Sequence, residues 1–324
     1  MTPTPDDDWT TARLAPPTGP VRLVIDTDAA NEIDDQFALA WALRAPERLR
    51  LEAVYAAPFS FAHRRAQYPR APHDAAPFCT PELGMRRSLD EIHRVFSLLD
   101  APSGGRVFAG SPGYLPAPGK PLRSEAAEHL VALARATPPG EPLYVAALGC
   151  VTNIASALLL APDIARRIVV VWTSGYPSHA PQVNDSFNLE QDLPATRQLL
   201  DSGVPLVYLP GFHVGAQLRL SRAEADRHVR GRGRIGDYLH ALFTDNPLWA
   251  ITGRPRADSH SWVIWDLICI AWLLEPAWVP SSLLRTPAVD DALRWQAAPG
   301  RALMREAHAV DRDGIFNDFF ARLP

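Results

Sequence analysis

The chain has 324 residues, 47% of them hydrophobic and 21% charged, with a formal net charge of −4. Such a composition suits a globular protein with a sizeable core, in one large α/β domain or two ordinary ones. It gives no electrostatic reason to expect nucleic acid or an anionic membrane as partner, and no apolar stretch reaches the roughly 18 residues that span a bilayer.

Residues 1–20, MTPTPDDDWTTARLAPPTGP, are acidic and proline-rich and lack the apolar core of a signal peptide, so a flexible tail is expected there. Residues 21–25 then form a short, continuous, β-branched run, the pattern of a buried strand. From about Asp34 the apolar residues Phe37, Leu39, Ala40 and Leu43 recur at helical spacing. Asp26, Asp28, Asp34 and Asp35 therefore lie at or beyond the carboxyl end of a strand, where open α/β sheets bind ligands. Carboxylates this close repel one another unless a cation or shared protons intervene, and a hard divalent ion with oxygen ligands is the simplest remedy. An acidic first helical turn would explain Asn31, Glu32, Asp34 and Asp35 through the helix dipole, but not Asp26 and Asp28.

Further strand signals fall at 51–57, 143–148, 168–172 and 205–209, with helical patterns at 35–45, 86–99, 124–136, 151–160 and 192–202. That alternation predicts an α/β fold with an open, mainly parallel sheet and helices on both faces. The 32 prolines cluster in the tail and at 69–81, 112–121 and 138–142, and the first internal cluster reads as a long loop near the sheet edge. Loops of that length inside a compact domain are usually functional or mobile. Beyond about residue 215, segment 221–244 reads as charged and helical, 261–275 as a strongly apolar helix, and 286–310 as one or two strands. No linker is marked, so residues 21–324 are expected to form a single domain with a C-terminal helical elaboration.

Three more segments carry candidate chemistry. Asp266 stands among Trp262, Val263, Ile264, Trp265, Leu267 and Ile268, and a buried carboxylate there needs a cation, a hydrogen-bond network or a raised pKa. LGCVTNIASAL (148–158) is a strand end, a glycine turn and a helix start, whose outward carbonyls suit a hard cation or make an ordinary cap. NDSFNLEQD (184–192) offers amides and carboxylates suited to a hydroxyl-rich ligand such as a sugar, and a solvated loop would look similar. Gly113 to Lys120 departs from a phosphate-binding loop in spacing, and Pro121 stands where Ser or Thr is needed. Neither GxSxG nor HExxH is present. Cys79, Cys150 and Cys269 are scattered and odd in number, which argues against a disulfide framework and makes a cytoplasmic location the default.

Taken together, Asp26-Thr27-Asp28, Asp34-Asp35, the GCVTN turn, Ser186-Phe187-Asn188 and the late Asp266 resemble the nucleoside hydrolases, the inosine–uridine-preferring hydrolases and their relatives. The resemblance runs from about residue 21 to 320, in the same order and with similar spacing. It implies an open α/β sheet with Ca²⁺ at the strand carboxyl ends, held by Asp28, Asp35, Asp266 and the backbone carbonyl of Thr152. Asp28 would also be the general base toward the attacking water, Asp34 and Asn188 would bind ribose hydroxyls, and Asp26 would support the site from behind. The implied reaction is Ca²⁺-dependent hydrolysis of a nucleoside or related N-riboside to ribose and free base, by a protein whose relatives are often dimers or tetramers.

The chain departs from the family pattern at four places. Five residues, AANEI, separate Asp28 from Asp34 where the family has three, leaving open a register that turns Asn31 or Glu32 into the pocket. Ser186 replaces an acid for which Asn184 or Asp185 is the candidate substitute, and Ser60 falls near a missing ribose-binding Asn. Trp265 stands where pyrimidine-accepting members carry a His and purine-specific members a Trp, which implies a purine preference through stacking. His63, His179, His213 and His260 are the alternative leaving-group acids. Two rivals remain: an inactive relative that only binds ribosides or sugars, and a metal-dependent phosphohydrolase with Asp26 as nucleophile.

Overall fold

A computed structural model describes residues 6–72, 75–138, 140–248, 251 and 260–324. The strands among these residues are β1 (Val21–Thr27), β2 (Leu49–Ala56), β3 (Val107–Ala109), β4 (Leu143–Ala147), β5 (Ile168–Ser174), β6 (Leu206–Pro210), β7 (Arg219–Ser221), β8 (Ser261–Val263), β9 (Ser281–Arg285), β10 (Ala288–Val289), β11 (Trp295–Gln296) and β12 (Leu303–Ala307). The α-helical segments are α1 (Asp7–Arg13), α2 (Asp34–Leu43), α3 (Pro81–Leu98), α4 (Glu125–Ala136), α5 (Thr152–Leu160), α6 (Phe187–Glu190), α7 (Leu193–Asp201), α8 (Arg222–Glu224), α9 (Gly233–Thr244), α10 (Leu267–Leu274) and α11 (Arg312–Arg322).

Eight strands make the central sheet in the order β3-β2-β1-β4-β5-β6-β12-β9, parallel throughout except for β9, which runs antiparallel to β12. The chain winds outward from β1 through β2 to β3, then returns to place β4 on the other side of β1. This reversal opens a crevice at the carboxyl ends of β1 and β4, the position where doubly wound sheets bind ligands. Side-chain alternation fills both faces. Leu23 and Ile25 of β1, Ala146 of β4 and Val171 of β5 pack on one face with α2, α3, α9 and α10. Val24, Val145 and Val170 pack on the other with α4, α5 and α7. Strands buried on both faces read as continuous apolar runs, which is why β1, β4 and β5 are legible in the sequence.

Three expectations need correction. The residues expected to be a flexible tail include the helix α1: Asp6 accepts the Trp9 N–H as its N-cap, Arg285 clasps the Asp7 carboxylate at 2.6 and 2.7 Å, and Leu14 is fully buried. Residues 1–5 lie outside the described residues, as do 73, 74 and 139 of the proline clusters. The apolar helix expected over 261–275 is instead strand β8, a turn and α10, because an all-apolar stretch has no period to fix where a helix begins. Segment 221–244 is helical but broken: α8 runs into a π-helical turn at Ala225–Val229, and α9 begins afterwards. Among the described residues no helix is long and apolar enough to cross a membrane.

Candidate active site

The crevice between β1 and β4 holds a cleft of about 660 Å³, counting its open mouth. Its floor comes from the connection between β1 and α2. Asp28 follows the last residue of β1, the Asn31 N–H closes a tight turn onto the Asp28 carbonyl at 2.7 Å, and Asp34 and Asp35 open α2. Carboxylates in a first helical turn are favoured by the free N–H groups and the helix dipole. Asp266 reaches the same cleft from the N-cap of α10, and its side chain caps no N–H of that helix. Asp34, Asp35 and Asp266 are all buried and present oxygens within 4.8 Å of one another. Asp28 is buried beside them and also lines the cleft.

The local bonds hold these acids in place. Thr27 donates its hydroxyl to Asp35, and the Asn31 amide donates to Asp28 at 2.9 Å. Gln36 donates to the Ala29 carbonyl at 2.5 Å and to Glu91 at 3.3 Å, tying the connection to α3. Gly149 leaves room for Asp28: a Cβ there would stand 2.7 Å from its Oδ1. Burial pushes Asp28, Asp34 and Asp266 well above the usual carboxylate range, and neighbouring carboxylates push the same way. Burial also raises Asp35 to about 6, against the opposing pull of the Thr27 hydroxyl. Glu32 lines the cleft too and is pushed up to about 7 by burial and by Asp35.

Such a group fits a hard divalent cation. Its donors are carboxylate oxygens, they are buried, and among the described residues none of Asp28, Asp34, Asp35 and Asp266 forms an ion pair with Lys or Arg. Asp34, expected on the ribose, lines the cleft and lies in the same carboxylate group as Asp35 and Asp266. Thr152 opens α5 and is not among the residues lining the cleft, and its hydroxyl donates to Asp192 at 2.5 Å. The residue of that turn which does reach the cleft is Leu148, whose carbonyl accepts the Asn188 amide at 2.6 Å.

The remaining candidates divide cleanly. Asn188 and Trp265 line the cleft, as do Asn31, Asp185 and Ser186. Trp265 is half-buried rather than a core residue, and Phe212 meets it edge-on at 6.0 Å. Asn184 is a loop strut, accepting from the Tyr176 N–H and donating to the Leu293 carbonyl. Ser60 donates to the Cys79 carbonyl at 2.6 Å and stays out of the cleft. Asp26 lies behind the cleft, fully buried, where it accepts from Asn153 at 2.8 Å and burial raises it to about 7. That placement removes Asp26 as the nucleophile of a phosphohydrolase. None of His63, His179, His213 and His260 lines the cleft; His63 instead bonds Glu190 at 2.7 Å.

Sequence reasoning passed over Arg64, Phe187 and Phe212 as individual residues. Phe212 follows the carboxyl end of β6, a position that topology alone marks. Arg64 comes from the loop after β2, where it donates to Glu190 and to the Asp185 carbonyl and lies over the Phe187 ring at 5.3 Å. Nothing in its local sequence signals that role.

Residues 23–314 match the family model described as inosine-uridine preferring nucleoside hydrolase. The chain belongs to that family. Over 140 residues it is 33% identical to the non-specific ribonucleoside hydrolase RihC of Salmonella paratyphi A, and equally to that of Salmonella agona (strain SL483). Each match covers 42% of this chain and 42% of the relative, so well under half the length of either curated relative is matched. Among solved structures, the plant nucleoside hydrolase PpNRh1 superposes with a TM-score of 0.68 at 18% identity, over 94% of this chain and 99% of that one. The purine-preferring ribonucleoside hydrolase from Gardnerella vaginalis follows at 0.66 and 20% identity, over 93% and 98%. At such identities these two show the shared fold, an α/β sandwich around a mostly parallel sheet.

Proposed function

We propose that the protein hydrolyses the N-glycosidic bond of a ribonucleoside, giving ribose and free base. The observation that carries this reading is four buried carboxylates, from the β1–α2 connection and the start of α10, sharing one cleft with the Trp265 and Phe212 rings in a chain of the nucleoside hydrolase family. Asp28, Asp35 and Asp266, with Asp34 adjoining, would hold the cation. Ca²⁺ is the proposed ion, since an all-oxygen, carboxylate-rich set suits a hard cation of its size. When bound, such an ion lowers the pKa of water in its shell.

Asp28 is the proposed general base. It lines the cleft, and its placement against Gly149 and Asn31 fixes where it takes the proton. Negative charge on the surrounding carboxylates favours the positive charge that builds on C1′ and the ring oxygen as the bond breaks. Asn188 and Asp34 would bind the ribose hydroxyls. Trp265, with Phe212 at its edge, offers a face on which a purine stacks, which supports a purine preference.

A panel of purine and pyrimidine nucleosides, incubated with Ca²⁺ and then with excess chelator, tests this reading. Release of reducing sugar from purine nucleosides with Ca²⁺, and its loss on chelation, is the expected result. Binding of ribose without turnover of any nucleoside would favour the inactive-relative reading, to which Ser186 and Ser60 point. Turnover indifferent to chelation would remove the cation from the reaction.

A further inference from the structure

We propose that Glu306, His179 and His308 form a second metal site, for Zn²⁺ or a similar borderline divalent ion, that pins the connection between β5 and α6 to β12. The site lies apart from the aspartate cleft, whose lining includes none of the three.

Glu306 is the fixed ligand. It stands near the carboxyl end of β12, is buried, and takes the Ser178 N–H onto Oε2 at 3.0 Å. A bond of that kind orients a ligating carboxylate and leaves its other oxygen to an ion. Among the described residues no Lys or Arg forms an ion pair with Glu306; the group facing its Oε1 is His179, with Nδ1 at 3.9 Å. A direct hydrogen bond would close to about 2.7–3.2 Å, so the two groups stand open to each other. Tetrahedral ligands at about 2.0–2.2 Å from a zinc ion lie roughly 3.3–3.6 Å from one another, and the gap here is wider by only a few tenths of an ångström.

His308 supplies the third donor from the strand itself. Its N–H donates to the Pro280 carbonyl at 3.0 Å, so the pairing of β12 with β9 runs on past Ala307. Residues two apart on an extended chain share a face, which sets the His308 side chain beside Glu306. Both imidazoles act on the carboxylate: burial raises the Glu306 carboxyl, and the Ser178 hydrogen bonds, then His179 and His308, pull it back. Among the described residues only the cleft aspartates already hold three ligand atoms within 4.8 Å. At Glu306 the two rings are exposed, His179 over 84% of its side chain, and are free to turn toward the carboxylate. Two imidazoles and a carboxylate suit zinc, whereas the all-carboxylate cleft suits a harder ion. Ser178 and His179 belong to the connection that leads from β5 to Asp185 and Ser186 in the cleft, so an ion held here restrains the segment carrying that lining.

The test titrates the Ca²⁺-saturated protein with Zn²⁺ in a calorimeter. One further Zn²⁺ per chain is expected, with Kd raised at least about tenfold in His179→Ala and in His308→Ala. Both side chains are exposed, so both variants should keep the wild-type circular dichroism spectrum. No saturable Zn²⁺ binding, or equal affinity in the double variant His179→Ala/His308→Ala, overturns the site. Co²⁺ in place of Zn²⁺ should give the intense visible bands of a four-coordinate centre, lost in the double variant; only the weak bands of an octahedral ion would overturn the ligand set. Hydrogen exchange reads the pin. Zn²⁺ should slow amide exchange over residues 176–186 at least about threefold in the wild type and leave it unchanged in the double variant. Unchanged exchange in the wild type with Zn²⁺ bound overturns the restraint.

Discussion

Asp28 bears the largest single prediction at the scale of a residue. As a general base it should contribute about 10²–10⁴-fold to rate, so Asp28→Asn is expected to lower kcat by about 10³ with an unchanged far-ultraviolet circular dichroism spectrum. A fall of less than tenfold would assign the proton to another group. Thr27 acts one step further out. Its hydroxyl donates to Asp35, the bond that offsets part of the burial penalty on that carboxylate. Partners of this kind typically tune metal affinity by 10–100-fold, so Thr27→Val should weaken Ca²⁺ binding by about tenfold in calorimetric titration. Unchanged affinity would mean that Asp35 is not a ligand. Of these residues, Asp28, Asp35 and Asp266 were legible because carboxylates at a strand end or in an apolar stretch demand a physical remedy. Glu32 was only half legible: the long AANEI connection raised its register as a question, and only the turn closed by Asn31 onto Asp28 answers it.

At the scale of an element, the connection between β4 and α5 constrains where Asp28, the proposed general base, stands. Gly149 is needed there for close approach, since a Cβ would meet Asp28 Oδ1 at 2.7 Å. Gly149→Ala should therefore displace the base and lower kcat at least about tenfold, with a smaller effect on KM. Wild-type kcat in that variant would show that the two side chains do not constrain each other. The same connection limits what the sequence says of Thr152. GCVTN marks a turn, but which carbonyl faces the cleft depends on where α5 begins, and helix starts are poorly fixed by local pattern. The segment 261–275 failed for a related reason. Its residues are apolar on every side, so the pairing of β8 with β7 and the start of α10 at Leu267 left no periodic trace. The parallel core strands, by contrast, declared themselves through continuous branched runs.

At the scale of the molecule, the buried acids couple stability to pH. Asp35 near 6 and Asp26 and Glu32 near 7 lie above the roughly 4 expected for carboxylates in the unfolded chain. Groups raised in the folded state favour folding below the unfolded value and lose that contribution as pH rises through the folded value. The cation-free protein should therefore weaken between about pH 4 and 7, while a bound cation, which needs the ionised acids, stabilises more as pH rises. Chelation is expected to lower Tm by at least about 5 °C more at pH 8 than at pH 5 in scanning calorimetry. An equal depression at both values would sink this coupling.

The two borders of the central sheet have their own consequence. On one side β3 is only three residues long, with the Ala109 N–H turned to the Glu125 carboxylate. On the other, β9 is held to the N-terminal helix through Arg285 and Asp7. Such short or covered borders give an incoming strand little to zip onto, a protection against fibrillar stacking. Cutting the tie with Asp7→Ala would unlatch one border, and thioflavin binding on mild heating would then rise before the core itself melts.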